Sequence, residues 1–165
     1  MAAWEFQTLQ NIADKHGWHK FISMQNFHNL LYREEEREMM PYCQDTGVGV
    51  IPWSPLARGL LTRPWKSTAT KRQRTDGFLK SILLARETET DAAVVNRVEE
   101  VARTKGVSMT AVATAWSLSK GVMPIIGLNS KQRIDEACEN VRVKLTEEEV
   151  KYLEDPYLPK TITGY

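Results

Sequence analysis

Three short stretches carry residues whose types and spacing suit binding chemistry. The first is Ile51-Pro-Trp-Ser-Pro-Leu-Ala-Arg-Gly-Leu-Leu-Thr62. It follows the apolar, β-branched run Val48–Ile51, which has the length of a buried strand. Pro55 cannot donate to a strand ladder and holds its predecessor extended, so the strand must stop there. The small residues and Gly59 that follow can bring backbone N–H groups close to a ligand. A flat indole at such a strand end suits a ring stacked on Trp53 with phosphates beyond it. A core tryptophan at a strand edge suits the same residues.

The second stretch is Gly127-Leu-Asn-Ser-Lys-Gln-Arg133. A glycine leaving a strand, then polar residues at a helix N-terminus, presents free N–H groups and a positive dipole end to an anion. Arg133 falls within the first helical turn, from which its planar fork can reach a phosphate. Core packing with an ordinary helix cap accounts for the same pattern, which is neither G-x-G-x-x-G nor a P-loop. The third stretch, Ser23–Asn26, is the polar end of another apolar run.

The elements that must position these stretches follow from periodicity. Residues 3 to 15 place Trp4, Leu9, Ile12 and Ala13 near one helix face, with Gly17 at the end. Lys20–Gln25 reads as a short strand. Tyr32 to Gly47 contains the acidic run Glu34–Glu36, a helix N-terminus with a solvated face, and Pro41 divides it into two short helices. Residues 58 to 87 form a long polar segment rich in Arg and Lys, which reads as a functional lid or a disordered connection, its charge suited to an anion such as a nucleotide phosphate. Residues 89 to 104 carry a stripe of Val94, Val95, Val98, Val101 and Ala102. Ser108 caps the next helix. Val122–Ile126 is a third strand, and Asn129 or Ser130 caps the helix after it. Thr146-Glu-Glu-Glu149 is a capping box opening the last helix, and residues 155 to 165 form an unpatterned tail.

Strands alternating with helices imply an α/β fold with a parallel sheet and right-handed crossovers. The three strand ends facing loops are where such folds place their sites. Three parallel strands cannot close a barrel and leave two hydrophobic edges. The expectation is an α/β unit of about three parallel strands, the residues 1–165 forming one part of something larger and self-associating through the exposed sheet edges.

Composition excludes several classes. The chain has 165 residues, 42% hydrophobic and 26% charged, with a formal net charge of +1. That balance shows no bias toward nucleic acid or membrane, and the basic segment lacks the interleaved aromatics of a nucleic-acid surface. No apolar run approaches the roughly 18–20 residues that span a bilayer, and no signal-peptide pattern opens the chain. Cys43 and Cys138 imply no disulfide framework, so a reducing, cytoplasmic setting is expected. The three histidines form no metal-ligand spacing.

Taken together, F-I-S-M-Q-N with L-L-Y-R-E-E-E-R-E, then G-V-G-V-I-P-W-S-P-L-A-R-G-L-L-T-R, then P-I-I-G-L-N-S-K-Q-R-I-D-E-A, resemble the C-terminal half of an aldo-keto reductase. The likeness is to the aryl-alcohol-dehydrogenase-like and potassium-channel β-subunit branches, and it runs over nearly the whole chain, including the final K-L-T-E-E-E-V-K-Y-L-E helix. The resemblance implies that the chain forms a partial TIM-type (α/β)8 barrel, its C-terminal half, with NADP(H) bound across the C-terminal strand ends. It implies that Gln25 hydrogen-bonds the nicotinamide carboxamide and that Trp53 stacks on the nicotinamide ring. Ser54, Pro55, Leu56, Ala57 and Arg58 would follow the pyrophosphate, and Arg63 and Arg72 would belong to a lid over the dinucleotide. Gly127, Asn129 and Arg133 match the adenosine 2′-phosphate site and Glu136 an adenine contact. Ala137 stands where many relatives have Asn, so one further adenine hydrogen bond is not carried over to position 137.

The same resemblance places the catalytic Asp, Tyr, Lys and His of the family before residue 1. Without the tyrosine acid and its lysine, reversible reduction of an aldehyde or ketone lacks its proton donor. The expectation is a chain with most of a nicotinamide dinucleotide site, no catalytic tetrad and no activity alone, meeting a small carbonyl substrate only when the other half is supplied. Two further readings are a half-barrel assembly module and a truncated gene product without function.

Overall fold

The structure is a computed structural model that describes residues 1–65 and 89–163. Its elements are α1 (Ala3–Lys15), β1 (Ser23–Met24), α2 (Met39–Thr46), β2 (Gly49–Val50), α3 (Glu89–Lys105), α4 (Met109–Ser119), α5 (Lys131–Asn140) and α6 (Glu147–Glu154). Short 3-10 turns occupy Glu34–Glu36 and Ala57–Thr62.

β1 and β2 pair in parallel, with Ser23 opposite Gly49 and Met24 opposite Val50. The ladder outruns the named strands. Gly49, Ile51 and Trp53 donate their N–H groups to the carbonyls of Ile22, Met24 and Asn26, each at 2.9 Å. The segment 122–126 joins on the other side of β2, where Met123 N–H meets Val50 O and Ile125 N–H meets Pro52 O at 2.9 Å. The three expected strands are therefore present as one parallel arrangement, the third through a Trp53–Ile125 bridge.

Two apolar clusters hold the layers. Phe6 of α1, Met39 and Cys43 of α2, and Val48, Val50 and Val122 pack together under one face of the sheet. A larger cluster joins Leu30, Leu31, Leu60 and Leu61 to Val94, Val95, Val98, Val112, Trp116 and Leu153. The valine stripe of α3 is buried as its spacing predicts; each such side chain contributes about 1.5–3 kcal/mol. Ser108 Oγ accepts from Ala111 N–H, and Thr146 and Glu149 form the expected capping box. Gly47 ends α2 at φ 71°, where an L side chain would be strained.

Two expectations fail. The buried face of α1 is Phe6, Gln10 and Ala13, while Trp4, Leu9 and Ile12 are exposed. The polar Gln10 lies inside because its amide satisfies the strand edge: Phe21 N–H donates to Oε1 at 2.8 Å and Nε2 donates to Phe21 O at 2.9 Å. The acidic run is not a solvated helix face either. Glu34 and Glu35 are only 8% and 7% exposed. Glu34 accepts from Tyr157, from the Lys160 N–H and from Arg37, and Glu36 accepts from His28 and bidentately from Arg33. The tail beyond α6 supplies several of these partners, so it is part of the packing although it lacks regular structure.

Candidate functional site

At the strand ends, Asn29 sets the backbone. Its buried amide donates Nδ2–H to Ser54 O at 3.1 Å while Oδ1 accepts from Leu31 N–H at 2.9 Å. Ser54 O also accepts from Ala57 N–H at 2.9 Å. The chain then takes left-handed dihedrals at Ser54, Ala57 and Arg58, with φ of 54°, 46° and 55°, before Gly59 at 100°. Non-glycine residues in this region cost on the order of 1–3 kcal/mol each, and such strain collects at ligand-holding turns.

Trp53 lies immediately before this turn. Phe27 stacks on its ring at 4.4 Å between centroids and 22° between planes, and Tyr32 stacks on Phe27 in turn. The Arg58 guanidinium lies 6.0 Å from the Trp53 ring centroid, within cation–π range. The tryptophan is half-buried, so it is part core and part surface, combining both sequence readings.

On the far side, Ser130 caps α5, its Oγ accepting from Arg133 N–H at 3.3 Å, which decides between the two candidate caps. The first turn of α5 carries N–H groups without intrahelical acceptors, at the positive end of the helix dipole. Arg133 Nη1 donates to Asn129 Oδ1 at 2.9 Å, and Gln132 Nε2 donates to Glu136 Oε1 at 2.8 Å. A Cβ placed on Gly127 would meet no atom within 4 Å, so its backbone fronts open space.

Between the two sides lies a cavity of about 540 Å³. Ser54, Pro55, Leu56, Arg58, Arg63, Gly127, Asn129, Arg133 and Glu136 all line it. Ala57 is fully buried beneath the turn. Trp53 borders the turn without lining the cavity, and the exposed Gln25 sits one strand away. Arg72 lies outside the described residues. Thr62, Thr110, Ala137 and Asn140 also line the cavity. Asn29 and Thr110 carry no local sequence signal, because an Asn before a strand partner and a Thr in an alanine-rich helix look like ordinary packing positions. Among the described residues no group of three or more metal-ligating side chains occurs, and no helix is long and apolar enough to cross a membrane.

The fold and the chain have relatives. The sequence profile of the Aldo/keto reductase family matches residues 2–157. Versiconal hemiacetal acetate reductase of Aspergillus parasiticus is 64% identical over 163 residues, covering 98% of this chain and 48% of that protein. A Schizosaccharomyces pombe protein bearing an aryl-alcohol dehydrogenase name is 55% identical, over 99% of this chain and 50% of its own. The structure of a glycerol dehydrogenase from Gluconobacter oxydans superposes with a TM-score of 0.65 at 24% identity, covering 86% of this chain and 46% of that one. That likeness concerns the fold, an (α/β)8 barrel of which the three parallel strands and their helices form part. The chain spans about half the length of the relatives it matches. With the family profile over nearly its whole length and identities well above half, this chain belongs to the aldo/keto reductase family.

Proposed function

We propose that this chain is the nucleotide-holding part of an NADP(H)-dependent reductase of the aryl-alcohol-dehydrogenase-like kind. The observation that carries the reading is the single cavity shared by the Ser54–Arg58 turn and the Gly127–Glu136 segment. These residues fit a phosphorylated dinucleotide. The Arg133 guanidinium, fixed by Asn129 at 2.9 Å, and the α5 N-terminus meet a 2′-phosphate. The tight turn at Ser54–Gly59 runs along the pyrophosphate, with Arg58 and Arg63 supplying charge. Trp53 gives the nicotinamide end a flat apolar wall, and Gln25 lies one strand over to meet its carboxamide.

The bound nucleotide supplies hydride chemistry, by which an aldehyde or ketone becomes an alcohol and the reverse. The reaction also needs a proton at the nascent alkoxide. Among the described residues the cavity lining holds no Tyr, Lys or His. The described lining therefore binds and orients the nucleotide, and turnover of a small carbonyl substrate calls on a proton donor from outside that lining.

Tryptophan fluorescence tests the binding. NADPH quenches the emission, NADH does so far more weakly, and Trp53→Ala removes most of the change. Absence of any saturable quench by NADPH in the wild-type chain would overturn the reading. Steady oxidation of NADPH with aromatic aldehydes by the purified chain, above a blank, would overturn its second half.

A second reading, assembly between copies, is favoured by the outer edge of the sheet. Ile22 is 84% exposed and Phe21 54% beside the β1 edge, and Met123 is 60% exposed on the third strand. An apolar sheet edge of this kind is a template for another strand, and a second copy presents one of matching polarity.

A further inference from the structure

The cavity face of α5 carries Arg133, Glu136, Ala137 and Asn140 at the one-turn spacing of a single helical stripe. Two of the polar side chains are engaged within the helix surface: Arg133 is clasped by Asn129, and Glu136 accepts from Gln132. Asn140 differs. It is half-buried at the C-terminal end of the stripe, its carbonyl accepts from Val143 N–H at 3.1 Å, and its side-chain amide makes no hydrogen bond among the described residues. An amide at the wall of a cavity without a protein partner has both its donor and its acceptor available to a ligand.

We infer that Asn140 reads the adenine edge of the bound nucleotide and thereby sets the preference of the site for adenine. The inference rests on the reading of the cavity as an NADP(H) site. Seven residues of helix separate Arg133 from Asn140, a rise of roughly 10 Å. That is the scale of the span from a phosphate on the ribose to the far side of a purine. The Ala137 methyl between them offers a flat apolar contact for the ring. A primary amide presents one acceptor and one donor in a plane, and adenine presents the complement on its N6–N7 edge, a donor beside an acceptor. Hypoxanthine has an oxygen in place of that amino group, so two acceptors would face the amide and one pairing would be lost.

The test is a fluorescence titration of the chain with NADPH and with its hypoxanthine analogue, for the wild type, Asn140→Ala and Asn140→Asp. The wild type binds NADPH about tenfold more tightly than the analogue. Asn140→Ala removes both pairings to NADPH and the single N7 pairing to the analogue, so NADPH loses more and the ratio collapses to near one. Asn140→Asp keeps the acceptor for N6–H but has no donor for N7, so it weakens both nucleotides while the preference for adenine over hypoxanthine remains. A residue with only a structural role would shift both nucleotides together and keep the ratio. An unchanged tenfold ratio in Asn140→Ala overturns the assignment of Asn140 while leaving the NADP(H) reading intact. Failure of the wild type to bind NADPH removes both at once.

Discussion

Arg133 Nη1 rests 2.9 Å from Asn129 Oδ1, one helical turn apart, at the mouth of the cavity. The pair spans the junction between the third strand and α5, so the guanidinium is oriented before any anion arrives. A charge-assisted hydrogen bond contributes about 1.5–3 kcal/mol. Arg133→Glu is expected to weaken NADPH binding by roughly tenfold or more, with little change for NADH, in paired titrations. Asn129→Ala, which removes only the orienting acceptor, should cost NADPH a few-fold. Equal losses for both nucleotides in Arg133→Glu would place the 2′-phosphate elsewhere.

Phe27 is clamped between Trp53 and Tyr32, with ring centroids at 4.4 and 4.7 Å, and is nearly inaccessible. Phe27→Ala leaves a cavity beneath the tryptophan and is expected to cost about 3–5 kcal/mol in urea unfolding. It should also shift the emission of the folded state, because Trp53 loses the ring that holds it. Phe27→Leu keeps most of the volume and should lose much less.

The buried charge cluster makes stability depend on pH. Burial by itself would raise the Glu36 carboxyl, but hydrogen bonds from His28 and Arg33 and the charges of Arg33 and Lys120 outweigh it. They hold the group far below its ordinary value of 4.5. A carboxyl with a lowered folded value stabilises fully above the unfolded value, and that contribution is lost as pH falls through 4.5 and below. The melting temperature should therefore decline from pH 6 toward pH 3. Burial raises the neighbouring Glu35 and gives it the opposite slope, so Glu36→Gln isolates the component. At pH 7 that variant should lose about 3 kcal/mol, since Arg33 is left without its bidentate partner, and its decline with acid should be flatter than that of the wild type.

The open edge of β1 predicts association. Light scattering coupled to size exclusion should give a discrete dimer mass, and Ile22→Lys, which sets a charge on the edge, should convert it to monomer. A monomeric wild-type chain at tens of micromolar would reject pairing between copies.

Much of this was legible in the residues themselves. The valine stripe of α3, the caps at Ser108 and Thr146 and the glycine ending α2 are local signals, because helix periodicity and capping involve neighbours three or four positions apart. The pattern W-S-P-L-A-R and the sequence from Gly127 to Arg133 marked the two walls of the cavity for the same reason. Other features needed the folded chain. Gln10 is buried because a strand edge eleven residues away accepts its amide. Glu34 and Glu36 lie within the packing because His28 and the tail after α6 hydrogen-bond to them and Arg33 and Lys120 pair with Glu36. Asn29, Thr110 and Asn140 acquire a place at the site only when segments far apart in sequence meet.

What the sequence determined by itself is the order of the elements, the family of the chain and the chemical character of the two strand-end stretches. Only the tertiary structure decided that those stretches face one cavity, which polar side chains are buried, and which of them line that cavity. Periodicity reports the face a residue shares with its near neighbours. The partner that satisfies a buried charge or a free amide comes from elsewhere in the chain, and no local pattern encodes it.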